Sequence, residues 1–272
     1  MSPSQAMPAP PHEPAETGAR ARREAFVPAV VVPSYHNART LGDVLAALDV
    51  LGLPVVVVDD GCRDESPRIL ERWAGSGGRG PARRVVRHPV NRGKGAALRT
   101  GFHAAAELGA THAVTIDSDG QHDPADVPAL LEAARGRPNA IVIGARPKEM
   151  PGRPARCLVG LRLANALVEY ECGRRLRDTQ SGLRVYPLDF VTRAPCRSER
   201  FSYETETLIR AAWAGRPVIE RPIRCRYFPH ELNNSYASPV AAIQRLRKRS
   251  LAVCSRDRTV PTGTRIMSAT SS

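Results

Sequence analysis

Aromatic residues are scarce in this chain of 272 residues: Phe, Tyr and Trp make up 5% of it. That excludes a platform on which successive bases of a single strand could stack, and no recognised nucleic-acid-binding motif is present. Lysine occurs only at Lys94, Lys148 and Lys248, so nearly all the positive charge is arginine. Cys62, Cys157, Cys172, Cys196, Cys225 and Cys254 include no C-x-x-C pair and no zinc spacing. Reduced thiols in a cytoplasmic setting are therefore expected. There is no apolar N-terminal signal segment and no uninterrupted run of about 18 apolar residues. The expectation is a cytoplasmic protein, peripheral at most to the inner face of a membrane.

Charge of one sign is abundant. The formal net charge is +13 and the sequence pI about 10.2, a balance that favours anionic partners such as phosphates and acidic lipid headgroups. Residues 1–25 hold five prolines and the cluster Arg20, Arg22 and Arg23 without apolar periodicity, and are expected to form a disordered arm. Residues 26–230 are long enough for one compact α/β domain. A basic amphipathic segment follows at 231–258, and 259–272 is a polar tail.

From residue 26 to about 146 strand and helix signals alternate. Val27–Val32, Val55–Val58, Val85–Val86, Ala113–Ile116 and Ala140–Ile143 read as buried strands. Between them, Thr40 is placed to cap a helix through Leu48, Ser66-Pro67 opens a second, Lys94–Leu108 forms a third and Asp123-Pro124 opens a fourth. Apolar strands without alternation, separated by amphipathic helices, imply a mostly parallel sheet covered on both faces. Beyond residue 146 the pattern predicts helices over Leu158–Val168 and Glu204–Ala214, and strands over Leu183–Tyr186 and Val218–Tyr227.

The chemistry-bearing residues gather at strand ends. Asp117-Ser118-Asp119 closes a buried strand, and two carboxylates one residue apart there can share a hard divalent cation, Mg²⁺ or Mn²⁺. Open α/β sheets bind their ligands at this edge. Asp59-Asp60-Gly61 likewise follows a strand. Gly93-Lys94-Gly95 opens a helix, so its amides and Lys94 can approach a diphosphate, although the P-loop spacing is absent. Arg146 and Arg184 suit phosphate groups through paired hydrogen bonds. Glu204 and Glu206 lie two apart on one helix and point in different directions, so one of them at most can serve a crevice.

In order along the chain stand Pro33-Ser34-Tyr35, Asp59-Asp60-Gly61, Asn91-Arg92-Gly93-Lys94-Gly95, Asp117-Ser118-Asp119-Gly120-Gln121, Asp178 to Arg184, and Tyr203-Glu204-Thr205-Glu206. This series resembles the family 2 glycosyltransferases with the GT-A fold, in particular their dolichyl-phosphate mannosyltransferase and polyprenyl-phosphate glycosyltransferase branch. The resemblance spans roughly Val27 to Tyr227. It implies a Rossmann-like single domain and a UDP- or GDP-sugar donor. Pro33, Tyr35, Asp59 and Asp60 would hold the nucleoside, with Lys94, Asp117 and Arg146 also on the donor. Asp117, Asp119 and Gln121 would hold the metal, and Asp119, Glu204, Glu206 and Arg184 would take part in transfer. Where many relatives read Pro-x-Tyr-Asn-Glu, this chain has Tyr35-His36-Asn37, with a neutral side chain in place of a carboxylate.

Three functions remain open at the level of sequence. The first is transfer to a polyprenyl phosphate, the second transfer to a hydroxyl of a glycan, lipid or small metabolite. The third is a catalytically silent module of the same fold bound to a membrane surface. A phosphate acceptor is already anionic and needs no base, whereas a hydroxyl requires a carboxylate to take its proton. The basic segment 231–258 suits an anionic bilayer.

Overall fold

The computed structural model describes residues 25–76, 80–147, 155–173, 175–194, 196 and 202–226. The N-terminal arm, the basic segment 231–258, the tail 259–272 and Tyr227 lie outside the described residues. Seven strands form one sheet: β1 (Pro28–Ser34), β2 (Val55–Asp59), β3 (Arg83–Arg87), β4 (His112–Thr115), β5 (Ile141–Ala145), β6 (Arg184–Pro187) and β7 (Val218–Pro222). Their order is β3-β2-β1-β4-β6-β5-β7.

The period-2 geometry of a strand explains the two-sided core. Ala29, Val31, Val56 and Val58 point into one apolar cluster, and their neighbours Val30, Val32, Val55 and Val57 into the other. Each fully buried valine adds about 1.5–3 kcal/mol of hydrophobic stabilisation. Helices α1 (Ala38–Asp49), α2 (Ser66–Gly75) and α4 (Val127–Gly136) cover one face with Leu41, Leu45, Leu70, Trp73 and Leu130. Helix α3 (Lys94–Glu107) covers the other with Leu98 and Phe102, joined there by α5 (Ala155–Cys172), the short α6 (Leu188–Val191) and α7 (Ser202–Trp213). Gly101 lets α3 lie directly on Val31, because any Cβ at that position would overlap the valine side chain.

All strand pairs are parallel except those of β6, which runs antiparallel to both β4 and β5. The sheet thus keeps the mostly parallel character expected of it. Strand order reverses between β1 and β4, so a crevice opens at the carboxyl ends of β1, β2 and β4.

One local expectation is corrected. Thr40 does not cap α1, which begins two residues earlier at Ala38. The Thr40 hydroxyl instead donates to the Ser118 carbonyl at 2.7 Å. Asp64 receives the Ala38 N–H at 3.1 Å, supplying from a neighbouring loop the acceptor this helix end needs.

Candidate active site

The centre of the site is an ion cluster drawn from three distant parts of the chain. β4 ends at Thr115, and Asp117 and Asp119 follow within the next turn. Lys94, the first residue of α3, places its Nζ 2.7 Å from Asp117 Oδ1 and 3.2 Å from Glu204 Oε1 on α7. Burial would favour a neutral Lys94, but the two carboxylates outweigh it and raise the ammonium above its usual range. Burial would likewise raise Asp117, but Lys94 holds its carboxyl below the ordinary value.

Asp119 stands differently. Burial first, and the negative charge of Asp117 second, push it up to about 6. Its Oδ1 accepts the Gln121 N–H at 3.0 Å, which tightens the turn. Two carboxylates crowded in a buried site with one ammonium between them and Glu204 leave a local excess of negative charge, which a dication would relieve. The donor set fits Mg²⁺ or Mn²⁺: two hard carboxylates from Asp117 and Asp119, with Gln121 close in sequence for a third oxygen. Among the described residues no three His, Cys, Asp or Glu side chains converge into a metal cage. His122 is buried, and burial lowers its imidazole to about 4, so it is neutral beside these acids. Its Nδ1 has no hydrogen-bond partner.

The loop after β1 reaches the same rim. Tyr35 is 39% exposed, and its ring stacks on His36 with centroids 4.1 Å apart. His36 adopts a positive φ of 53° and accepts the Arg63 N–H on Nε2 at 3.1 Å. Asn37 donates from Nδ2 to Ser118 Oγ at 2.8 Å, and that hydroxyl donates to the Pro33 carbonyl at 3.1 Å. Pro33 itself is buried in β1, so its contribution to the site is this carbonyl. A carboxylate at position 37 would have no proton to give Ser118.

Asp59 and Asp60 are both buried at the end of β2 but do different things. Asp59 Oδ1 accepts the Cys62 N–H at 2.9 Å, and Oδ2 lies 3.6 Å from Arg87 Nε. Asp60 turns inward: Oδ1 accepts the Arg92 N–H at 2.9 Å and Oδ2 the Gly93 N–H at 2.8 Å, while His88 Nδ1 lies 2.7 Å from Oδ1. Its carboxylate is engaged within the protein, holding the loop that presents Lys94. Gly61, at φ 76°, lets this loop pass, since a Cβ there would lie 2.6 Å from the Asn91 nitrogen.

The arginines depart most from their expected places. Arg184 does not face a crevice. It is fully buried, donating from Nε to the Ser181 carbonyl and from Nη2 to the Thr179 carbonyl, both at 2.7 Å, and from Nη1 to Glu204 O at 3.2 Å. It braces the Asp178–Gly182 segment against α7, a task that parallel carbonyls set for a guanidinium fork. Arg146 stays near the acids but pairs bidentately with Asp178, at 2.6 and 2.9 Å. Burial would raise Asp178, yet Arg146 keeps its carboxyl below the ordinary range. Glu206 pairs with Arg210 one turn on, at 2.9 Å, so of the two glutamates only Glu204 joins the cluster.

Asp178 lies in a segment singled out by its pattern but has no role assigned by the sequence, and His88 stands in no sequence motif. The segment's high density of polar residues beside Gly182 was the available signal for Asp178. A pocket of about 510 Å³ borders Gln121 and His122 and extends along α1 to Arg224, without reaching Asp117, Asp119 or Lys94.

An α/β sheet whose strand ends converge on paired acids, a lysine and a glutamate defines a group-transfer enzyme of the GT-A type. The sequence model of Glycosyl transferase family 2 matches residues 29–178, and the chain belongs to that family: it is a glycosyltransferase. It is 27% identical over 218 residues to a UDP-N-acetylglucosamine–dolichyl-phosphate N-acetylglucosaminyltransferase of Methanococcus voltae, covering 75% of this chain and 87% of that one. It is 28% identical over 222 residues to an undecaprenyl-phosphate mannosyltransferase of Micrococcus luteus, covering 76% and 86%. Among solved structures, the glucosyl-3-phosphoglycerate synthase of Mycobacterium tuberculosis with Mn²⁺ and UDP shares the fold at TM-score 0.62 and 19% identity, covering 91% of this chain and 88% of that one.

Proposed function

We propose that this glycosyltransferase moves a sugar, with inversion, from a nucleotide diphosphate sugar to a polyprenyl phosphate at the cytoplasmic face of a membrane. The observation that carries the reading is the pairing of Asp117 and Asp119 beside Lys94, a buried acidic site in need of a dication. Relatives named for dolichyl and undecaprenyl phosphate acceptors support the choice of acceptor.

In this reading Asp117, Asp119 and Gln121 hold Mg²⁺ or Mn²⁺, which supplies charge neutralisation for the departing diphosphate. Tyr35 presents an exposed ring to the base, and Asp59 lies behind it at the end of β2. Lys94, fixed by the Asp60-held loop, adds a second positive charge next to the diphosphate. An acceptor phosphate oxygen attacks the anomeric carbon and forms the new C–O bond. The bond from that carbon to the donor diphosphate breaks, and its electron pair leaves with the nucleoside diphosphate. No proton has to be removed, so Glu204 acts through Lys94 by holding the ammonium in place.

The test is direct. Purified full-length protein is incubated with labelled UDP- and GDP-sugars, Mn²⁺ or Mg²⁺, and a polyprenyl phosphate. Formation of a glycolipid that is lost with EDTA is expected. Transfer only to hydroxyl acceptors would replace this reading with the glycan or metabolite alternative.

A further inference from the structure

Ser118 stands between the two acids of the turn after β4, yet its own bonds run towards β1 and α1. It is buried. Asp117 reaches Lys94, whereas the Ser118 hydroxyl donates to the Pro33 carbonyl at 3.1 Å and accepts from Asn37 Nδ2 at 2.8 Å. The Ser118 carbonyl accepts the Thr40 hydroxyl at 2.7 Å. One residue of the acidic turn is thus tied to the end of β1, to the loop after it and to the first turn of α1.

Each bond fixes a different part of the turn. The β1–β4 ladder joins the Ile116 N–H to the Val31 carbonyl at 3.2 Å. Two residues on, the Pro33 carbonyl takes a side-chain hydroxyl, so the chain can leave the sheet here without stranding a buried acceptor. The Thr40 bond holds the carbonyl of the planar peptide that leads into Asp119, and so sets the direction in which that residue departs. Asn37 belongs to the same short loop as Tyr35, whose exposed ring stacks on His36. The loop is fastened on its far side as well, by the His36 N–H to Cys62 Sγ at 3.2 Å and the Ala38 N–H to Asp64 Oδ2 at 3.1 Å. Fastened on both sides, it has one settled position relative to the acids.

We infer that Ser118 is a latch coupling the loop that faces the nucleoside to the turn that holds the metal, with Asn37 and Thr40 as its positioning residues. This rests on the reading of Asp117, Asp119 and Gln121 as the holders of a divalent cation and of Tyr35 as the contact to the base, and it adds what links the two. None of the three latch residues carries charge. Their part is to fix where the acids and the Tyr35 ring are presented. When Asp119 is engaged by a cation, the peptide before it is settled too, and with it the Ser118 hydroxyl that anchors Asn37. When a nucleotide orders the Tyr35 loop, the same bonds settle the acids. Such coupling is reciprocal, so each ligand tightens the other by the same factor. One or two hydrogen bonds carry it, a scale of about three- to tenfold in affinity.

The experiment compares the full chain with Thr40→Val, Thr40→Ser and Ser118→Ala, none of which alters a charge. Thr40→Val keeps the side chain's shape and loses its hydroxyl, whereas Thr40→Ser keeps the hydroxyl. Calorimetry measures Mn²⁺ binding without nucleotide, then UDP and GDP binding with and without Mn²⁺, beside a thermal melt of each protein. In Thr40→Val and Ser118→Ala, Mn²⁺ alone is expected to bind about three- to tenfold more weakly than in wild type. The factor by which Mn²⁺ tightens the nucleotide should shrink with it, and Thr40→Ser should restore both. Direct contact between metal and diphosphate is common to all four proteins, so the lost part of the factor belongs to the latch. A lowered thermal midpoint with unchanged Mn²⁺ affinity would make these residues structural only and overturn the inference. An equal factor in all four proteins overturns it too, and leaves the metal reading standing. If Ser118→Ala does not fold, the Thr40 pair decides alone. If Mn²⁺ binding weakens in Thr40→Val while neither diphosphate binds wild type, the hold on the turn stands and the donor reading fails. Wild type that binds no Mn²⁺ removes the metal reading and the latch together.

Discussion

Lys94 and Asp117 meet at 2.7 Å between Nζ and Oδ1, in a largely buried setting to which Glu204 adds a second carboxylate 3.2 Å from the same ammonium. A residue at the head of α3 therefore neutralises acids presented by β4 and α7. Removing one partner from a buried ion pair costs about 3–5 kcal/mol, because the other charge is left uncompensated. Lys94→Met should lower the thermal midpoint for that reason. Mn²⁺ should then raise the midpoint of the variant by more than that of wild type, since the acids lack their internal cation. Thermal melts with and without Mn²⁺ check this, and equal shifts in both proteins would remove the coupling between Lys94 and the acidic site.

Gly182 lies so close to Asp117 that a Cβ would overlap the carboxylate. Gly182→Ala should displace Asp117 and reduce kcat/KM for the donor by about a hundredfold, the scale associated with a misplacement of about 1 Å. The protein should remain folded. Steady-state kinetics beside a melting curve separates the two effects, and unchanged kinetics would mean Asp117 has room to move.

Glu204 and Glu206 are separated by a single comparison. Glu206 is paired with Arg210 in a largely buried position on α7, and Glu206→Gln should leave turnover near wild type. Glu204→Gln should cost less than about tenfold if the acceptor is a phosphate, which needs no base. A loss of about 10²–10⁴ would instead identify Glu204 as a general base and the acceptor as a hydroxyl.

His112 supplies a pH dependence remote from the site. It is buried on β4, with Nε2 2.9 Å from the Pro138 carbonyl, and burial lowers its imidazole below the ordinary value. The unfolded chain therefore binds a proton here that the folded one resists. Stability from this group is present above about pH 6.5 and declines as pH falls through that value towards the folded pKa. Comparing wild type with His112→Gln between neutral and mildly acidic pH, the wild type should show the steeper loss of thermal midpoint on acidification. Parallel profiles would exclude His112 as the source.

Much of this was readable from residue pattern alone. The fully apolar strands and the intervening helices are local signals, and each strand or helix up to residue 146 falls within a few residues of its expected place. The acidic pair after β4 was legible because a short polar run closing an apolar strand marks a sheet edge. Thr40 misled because a side chain at a helix start caps it only when no better partner exists, and here the Ser118 carbonyl is that partner. Arg184 misled because sequence records charge and not direction: β6 is buried on both faces, and Arg184 falls on the one covered by α7, where backbone carbonyls take its guanidinium.

By itself, the order of apolar segments and turn residues determined the α/β class and the acidic strand end, and composition determined the net charge of +13, since these depend on composition and short-range periodicity. Tertiary structure decided which charges meet. The insertion of antiparallel β6 between β4 and β5, the reach of Lys94 to Glu204 across more than a hundred residues, and the inward turn of Asp60 all arise from packing between segments far apart in the chain. Pairwise distance of that kind leaves no trace in local pattern, because burial and partner choice are settled only when the whole sheet closes.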